Sequence, residues 1–482
     1  MLLGVLLTAS VACRDADSAP DGLSERSGGP IVLISLGALR PADVEHMPAL
    51  RGFAQGADWS GRAVAPSSSP VVSAATLLTG VDPWVHGVLA FDDLRDPLGA
   101  PTLAQELGAL GYFTEAHLPA SSGLARYGLL AGFDVVDASE DSRGAVAQLA
   151  RVDDAPRLLW IHLAAVGFPL RDRRGDIPTL PEPPRSRVDL LELFPSSDPE
   201  VALDEMLHRA TEALWRHEVA VVDRRLEQLF AALERSGWRH RALVVVTALH
   251  GLELGEHGQS LYGWNLGRAA IEVPLIVDLP DGAPSLGLPA GLPVARQRVA
   301  STLVEAAGAT PSPAHLAPLT RVDDTPILSS LYLRDGVNTF ALVVAGASPD
   351  AGSAQLLREA RFAPAEAEYW PAVRARAGET LALGESPARI FERLRRAFRH
   401  TPPFEGPLGI GQRLERWRAE GGVETVDDPA LQAELAQALQ ERWRRAASNG
   451  QTPEEARRRS ALRPPNGYTQ PSEEPHDKPS GP

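Results

Sequence analysis

The sequence predicts an α/β fold, a mostly parallel central sheet flanked by helices, followed by a smaller C-terminal α/β or helical subdomain. Three observations carry this prediction. Several short apolar runs read as buried strands. Segments with apolar residues at helical spacing lie between them, and strands alternating with helices build parallel sheets. The composition, 44% hydrophobic and 23% charged, is that of a globular chain.

The elements follow in order. Residues Met1 to Ala12 are almost wholly apolar or small. This run is too short for a membrane-spanning helix, which takes about 20 residues, and it fits the apolar region of a signal peptide. Ser10-Val11-Ala12 followed by Cys13 resembles a bacterial lipoprotein signal. Residues 1–12 are then the signal, Cys13 the lipid-bearing residue, and residues 13–28 a polar tether. The expected localisation is extracytoplasmic, with the protein held at the membrane through Cys13.

Residues 29–318 are expected to form the core domain. Its strand runs are Ile31–Leu36, Leu158–Leu163, Leu243–Thr247 and Val273–Val277. A further strand run, Phe340–Ala345, follows the core. A helix is expected after Pro70, and Thr102–Leu110 and Arg298–Ala307 are further helix candidates. Leu203, Leu207, Ala210 and Leu214, then Val219, Val222, Leu226, Leu229 and Leu233, keep helical spacing. Phe168–Glu200, with Pro181, Pro183 and Pro184, reads as a long loop over the strand ends.

Residues 319–463 form the expected C-terminal subdomain. Ser386-Pro387 starts one helix there, with Arg389, Arg393, Arg395, Arg396 and Arg399. Asp428-Pro429 starts another, with Leu431, Leu435, Leu439 and Trp443 on one face. Residues 464–482 are Pro/Ser/Glu-rich and expected to be disordered.

Composition excludes several chemistries. Of the 47 Lys and Arg residues one is lysine, Lys478, and Cys13 is the single cysteine. An intramolecular disulfide and a cysteine-rich zinc site are impossible. A P-loop or a Schiff-base enzyme would have to recruit a lysine from the tail. The net charge of −15 argues against a nucleic-acid partner.

Four segments, in order, resemble the sulfatase family of the alkaline-phosphatase superfamily. Gly29-Pro30-Ile31-Val32-Leu33-Ile34-Ser35-Leu36-Gly37-Ala38-Leu39-Arg40-Pro41 resembles its opening strand, I-V-L-I-S-L-D-T-L-R-P. Ala75-Thr76-Leu77-Leu78-Thr79-Gly80-Val81-Asp82-Pro83-Trp84-Val85-His86-Gly87-Val88 resembles A-S-L-L-T-G-x-x-P-x-x-H-G-V. Leu243-Val244-Val245-Val246-Thr247-Ala248-Leu249-His250-Gly251, with Leu254-Gly255-Glu256-His257-Gly258, resembles L-V-V-x-T-S-D-H-G and L-G-E-H-G. Ala270-Ile271-Glu272-Val273-Pro274-Leu275-Ile276-Val277 resembles L-R-V-P-L-I-I. The match covers roughly residues 29 to 310 and implies an alkaline-phosphatase/sulfatase-like core.

The resemblance also implies a chemistry. Sulfate-ester hydrolysis in this family uses a dication held by carboxylates, a formylglycine made from Cys or Ser, and Lys, Arg and His around the sulfate. A hard cation needs anionic oxygens; it polarises the ester and activates the nucleophile.

Carried over by position, the opening-strand metal ligands fall on Gly37 and Ala38, and the aspartate of S-D-H-G on Leu249. The nucleophile falls on Pro70, and the arginine that follows it on Ala74. The later H-G-x-S-L histidine falls on Tyr262. His250 and His162 are retained. No cofactor is therefore expected; Ca²⁺ or Mg²⁺ would be needed only if a family-type site worked.

The first reading is a sulfatase-like envelope lipoprotein that has lost its catalytic machinery and acts by binding, with an anionic or sulfated glycan as the expected partner besides the membrane. A second is an active sulfuric- or phosphoric-ester hydrolase or transferase with a relocated site. It would use Ser69 or Ser73 as nucleophile and His250, His257 or His162 as base, and it requires these groups to meet. A third is an envelope interaction protein that works through its Arg-rich C-terminal helices. His86 reads as structural.

Overall fold

A computed structural model describes residues 28–89, 98–126, 128–151, 155–164, 205–254, 260–263, 266–286, 288, 291–321, 327–332, 338–345, 353–362, 408–417, 423–425 and 429. Cys13, the Phe168–Glu200 loop, His257 and the Arg389–Arg399 run lie outside the described residues, as does the helix expected from Asp428 except for Pro429.

The first strands in the chain are β1 (Ile31–Ala38), β2 (Trp59–Val64), β3 (Phe113–His117), β4 (Val135–Asp137), β5 (Arg157–Leu163) and β6 (Leu243–His250). A two-stranded pair follows, β7 (Glu253–Leu254) with β8 (Ser260–Leu261), then β9 (Glu272–Asp278) and β10 (Val294–Ala295). Apart from β7 and β8 these form one eight-stranded sheet in the order β10-β2-β9-β6-β1-β5-β3-β4. Every pairing in it is parallel except the two made by β9.

All eight residues of β1 and all eight of β6 are buried. A central strand covered on both faces needs apolar side chains at successive positions, which is why each of these segments opens on four unbroken Val, Ile or Leu residues, Ile31–Ile34 and Leu243–Val246. The strand β2 was not expected: Trp59-Ser60-Gly61-Arg62-Ala63-Val64 is half exposed and carries no apolar run. Its pairing with β9 makes it a strand.

The helices are α1 (Pro48–Gly56), α2 (Pro70–Thr79), α3 (Pro83–His86), α4 (Leu103–Ala109), α5 (Arg143–Leu149), α6 (Glu205–Ser236), α7 (Arg268–Ile271) and α8 (Arg298–Ala306). From Glu205 on, the two expected helical patterns run through the single 32-residue α6, and Leu203 lies outside the described residues. It buries Val219, Val222, Leu226, Leu229 and Leu233. Phe230 stacks on Phe53 of α1, with ring centroids 4.2 Å apart. The helix α2 starts on Pro70 at its first position, where a missing N–H costs nothing. It ends on Gly80, whose φ of 67° is the left-handed cap that glycine adopts freely. None of the described helices is long and apolar enough to cross a membrane.

The run Phe340–Ala345 does not join the central sheet. It lies in β12 (Asn338–Ala345) of a five-stranded antiparallel sheet with β11 (Ile327–Tyr332), β13 (Ser353–Phe362), β14 (Leu408–Trp417) and β15 (Val423–Thr425). The described part of the subdomain is thus β-structure, with Pro429 its one helical residue. Ile327 and Leu331 pack with Val64, Ala270 and Ile271, and the backbone N–H of Ser330 donates to the Pro66 carbonyl at 2.8 Å. These contacts place β11 against the loop that leads into α2.

Candidate functional site

In an open parallel sheet, ligands bind beyond the carboxyl ends of the strands, where successive connections diverge. Here that point is β1, flanked by β5 on one side and β6 on the other. Gly37 and Ala38 end β1, Leu249 and His250 end β6, and His162 lies near the end of β5. Ala38 is directly opposite His250 in the register, and Ser35 is opposite His162. Ala38 and Leu249 are fully buried. The positions assigned by sequence to the metal ligands therefore lie together at the strand ends, and their side chains are a hydrogen, a methyl and an isobutyl group.

His250 donates its Nδ1–H to the Gly251 carbonyl at 2.7 Å. A carbonyl can only accept, so Nδ1 carries the proton. Burial pushes the imidazole down to about 4, with the charge of Arg296 pushing the same way. At neutral pH the ring is uncharged and Nε2 is a lone-pair acceptor. Tyr262 leans on this ring, with centroids 4.2 Å apart.

His162 is also buried, and desolvation pushes it down to about 3. Its Nδ1 lies 3.0 Å from Ser35 Oγ, which accepts the indole N–H of Trp160 at 2.9 Å. This buried Ser35–Trp160–His162 set holds the imidazole in place. His162 also lines a shallow depression at the strand ends, with His117, Ser139, Glu140 and Arg225.

Ser69 and Ser73 sit at the start of α2. Ser69 is the N-cap residue, and its hydroxyl has no hydrogen-bond partner among the described residues. Ser73 donates its hydroxyl to the Ser67 carbonyl at 2.7 Å. Neither hydroxyl hydrogen-bonds a histidine among the described residues. His257 lies outside the described residues. His86 uses both ring nitrogens inside the fold: Nδ1 accepts from the Val88 amide at 3.1 Å, and Nε2 is 2.9 Å from Thr76 Oγ1.

One residue of this region was not singled out from the sequence. Arg296 is 1% exposed, and its Nη2 donates to the Ser73 carbonyl at 2.6 Å. Its Nε and Nη1 have no partner among the described residues. Burial alone lowers its pKa to about 9, so it remains a cation at neutral pH. Nothing local marks Arg296 among more than forty arginines. Ser35 was equally invisible, as one small residue in an apolar strand.

The donor set does not fit a hard dication. Such an ion needs several carboxylate or carbonyl oxygens, and glycine, alanine and leucine stand at the positions that the resemblance assigns to its ligands. No group of three or more His, Cys, Asp or Glu converges among the described residues.

No family model and no curated protein matches this sequence. Solved structures do match its fold. A candidate sulfatase from Bacteroides thetaiotaomicron superposes with a TM-score of 0.54 at 17% identity, over 79% of this chain and 98% of its own. A 2-O GAG sulfatase gives 0.54 at 17% identity, over 80% and 98%. A phosphonate monoester hydrolase from Silicibacter pomeroyi gives 0.53 at 18% identity, over 88% and 96%. The chain has the fold of the sulfatases and the alkaline-phosphatase superfamily.

Proposed function

We propose that this chain is a lipid-anchored, extracytoplasmic protein of the sulfatase fold that has lost hydrolytic chemistry and acts by binding. One observation carries the reading. The strand ends that would hold a dication present Gly37, Ala38 and Leu249, and the helix that would present the nucleophile begins with Pro70. No rotamer of these residues supplies a metal ligand or a nucleophilic oxygen. The expected ligand is an anionic or sulfated glycan, and the expected anchor is a lipid on Cys13.

Purified protein assayed with aryl sulfate and aryl phosphate in Ca²⁺, Mg²⁺ or Mn²⁺ should show no metal-dependent turnover. Turnover that disappears in His250→Ala would overturn the loss of chemistry. For the anchor, Cys13→Ser should move the protein from the membrane fraction to the soluble fraction. A Cys13→Ser protein still held in the membrane fraction would exclude lipidation at this residue as the anchor.

A further inference from the structure

We propose that β4, the outermost strand of the eight-stranded sheet, is a docking edge for a partner protein. It takes an extended segment with two adjacent apolar residues flanked by basic ones, added as a further strand. This edge lies away from the ends of β1 and β6, and the inference does not rest on the loss of hydrolytic chemistry.

The first argument is the edge itself. Among the described residues β4 pairs with β3 alone and ends the sheet. An edge strand presents backbone N–H and C=O groups on its outer side, and an extended peptide can add there through main-chain hydrogen bonds.

The second argument is apolar exposure. Among the described residues the large apolar side chains that are exposed are Leu110, Phe113, Val135 and Val136. Two of them belong to β4, and the other two precede and open β3. Val135 is opposite Glu115, and Val136 is opposite Ala116. Successive strand side chains point to opposite faces, so the valines offer one apolar contact on each. Phe113, two residues before Glu115, shares the Val135 face and lies diagonal to it, within reach of an aromatic ring. Apolar residues scattered singly over a surface are ordinary, but these are gathered at one sheet edge.

The third argument is charge, which selects the occupant. From Gly132 to Ser142 every charged residue is acidic: Asp134, Asp137, Glu140 and Asp141. Asp134 and Asp137 bracket the two valines. Asp134 is exposed and takes the Thr114 amide and hydroxyl through Oδ2, at 2.8 and 3.1 Å; its Oδ1 accepts nothing among the described residues. The Ser139 hydroxyl donates to Asp137 and holds its carboxyl below the ordinary carboxylate range, so it stays charged. The guanidiniums nearby already face carboxylates, Arg143 that of Asp141 and Arg157 that of Glu115. A second copy of this chain is a poor occupant. Antiparallel pairing centred on the valines would set Asp134 of one copy against Asp137 of the other, and like charges directly opposite destabilise a strand pair. A strand with Arg or Lys at both flanking positions meets the same carboxylates favourably. The pattern basic–apolar–apolar–basic reads the same in either direction, so it fits parallel and antiparallel addition alike.

The test is fluorescence anisotropy of a labelled peptide, Ser-Arg-Val-Val-Arg-Ser, titrated with the folded full-length chain. The controls are Ser-Glu-Val-Val-Glu-Ser and Ser-Arg-Ser-Ser-Arg-Ser. Saturable binding of the first peptide is expected, with each control weaker by about 10-fold or more. Val135→Ser with Val136→Ser should weaken it about 3- to 10-fold. Asp134→Asn with Asp137→Asn, which keeps an acceptor oxygen at each position, should weaken it about 3- to 10-fold. Hydrogen exchange should show the peptide slowing the amides of residues 135–137. No saturation by about 1 mM chain overturns the proposal. So does binding unchanged in both folded double variants, or equal binding of Ser-Arg-Ser-Ser-Arg-Ser. Exchange protection that leaves residues 135–137 untouched also overturns it, and that measurement needs no variant. Dimerisation of the chain alone in sedimentation, lost in the Val135→Ser, Val136→Ser protein, makes a second copy the occupant and overturns it too. Turnover of aryl sulfate bears on none of these outcomes, so the two proposals fail separately.

Discussion

His162 and His250 sit fully enclosed at the ends of neighbouring strands, and both are held neutral by burial, at about 3 and about 4. The unfolded chain titrates these rings near their ordinary value of 6.5, so it takes up protons that the folded chain refuses. Their contribution to stability is full above about pH 6.5 and is lost as the pH falls towards about 4 and then about 3, at up to about 1.4 kcal/mol per pH unit for each ring. Urea unfolding across about pH 5 to 7 should show this slope, and His162→Gln or His250→Gln should each flatten it. Ser35 is a second residue whose weight is out of proportion to its size. Ser35→Ala leaves the Trp160 indole N–H without its acceptor and His162 Nδ1 without its neighbour, inside the core. A loss of about 1–3 kcal/mol is expected, read from the urea midpoint. The two histidines were legible in the sequence because they stand in recognisable strand-end motifs. Ser35 was not, because its partners are 125 and 127 residues away.

The elements around the site are tied together by backbone contacts with little room to spare. Gly251, directly after β6, donates its N–H to the Ala270 carbonyl of α7 at 2.9 Å. A Cβ on Gly251 would lie 2.0 Å from the Ala269 carbonyl oxygen and 3.1 Å from that of Glu272. These are backbone atoms that cannot turn aside. Gly251→Ala should therefore cost at least about 1–3 kcal/mol, as overpacking does, and should displace His250, whose Nδ1 holds the Gly251 carbonyl. Thermal unfolding reads the first effect, and the pH slope of His250 reads the second. A second tie links α1 to α6. The N-cap of α1, Met47, has no capping side chain, and Asp223 of α6 accepts from the Ala49 and Leu50 amides at 3.0 Å each. Asp223→Ala should cost about 1–2 kcal/mol, as loss of a cap does, measured by chemical denaturation. The central strands were readable from their unbroken apolar runs; β2, β3 and β4 were not. The strand β2 is partly exposed, β3 buries polar Thr114, Glu115 and His117, and β4 is three residues long with both valines on the surface. What makes each a strand is its neighbour.

At the scale of the whole molecule the sheet keeps the sulfatase arrangement, and the proposed loss of the metal site has a consequence for stability. The strand ends carry Gly37, Ala38 and Leu249. Dication chelation should then be without consequence for the fold. EDTA, or added Ca²⁺, Mg²⁺ or Mn²⁺, is expected to shift the melting temperature by less than about 1 °C, since a ligand stabilises only to the extent that it binds the native state. A metal-specific rise of several degrees in differential scanning calorimetry would contradict this. The sequence by itself determined the α/β class, the order of the motif-bearing strands and helices, and the residues that stand at the strand ends. These are local facts: an apolar run, a turn glycine, a proline that starts a helix. Only the tertiary structure decided which distant residues meet. Arg296 reaches the Ser73 carbonyl across 223 residues of chain, and its burial comes from the packing of the segment before α8 against α2. No spacing or composition encodes that meeting, because a guanidinium at the end of a long side chain is placed by what surrounds it and not by its neighbours in sequence.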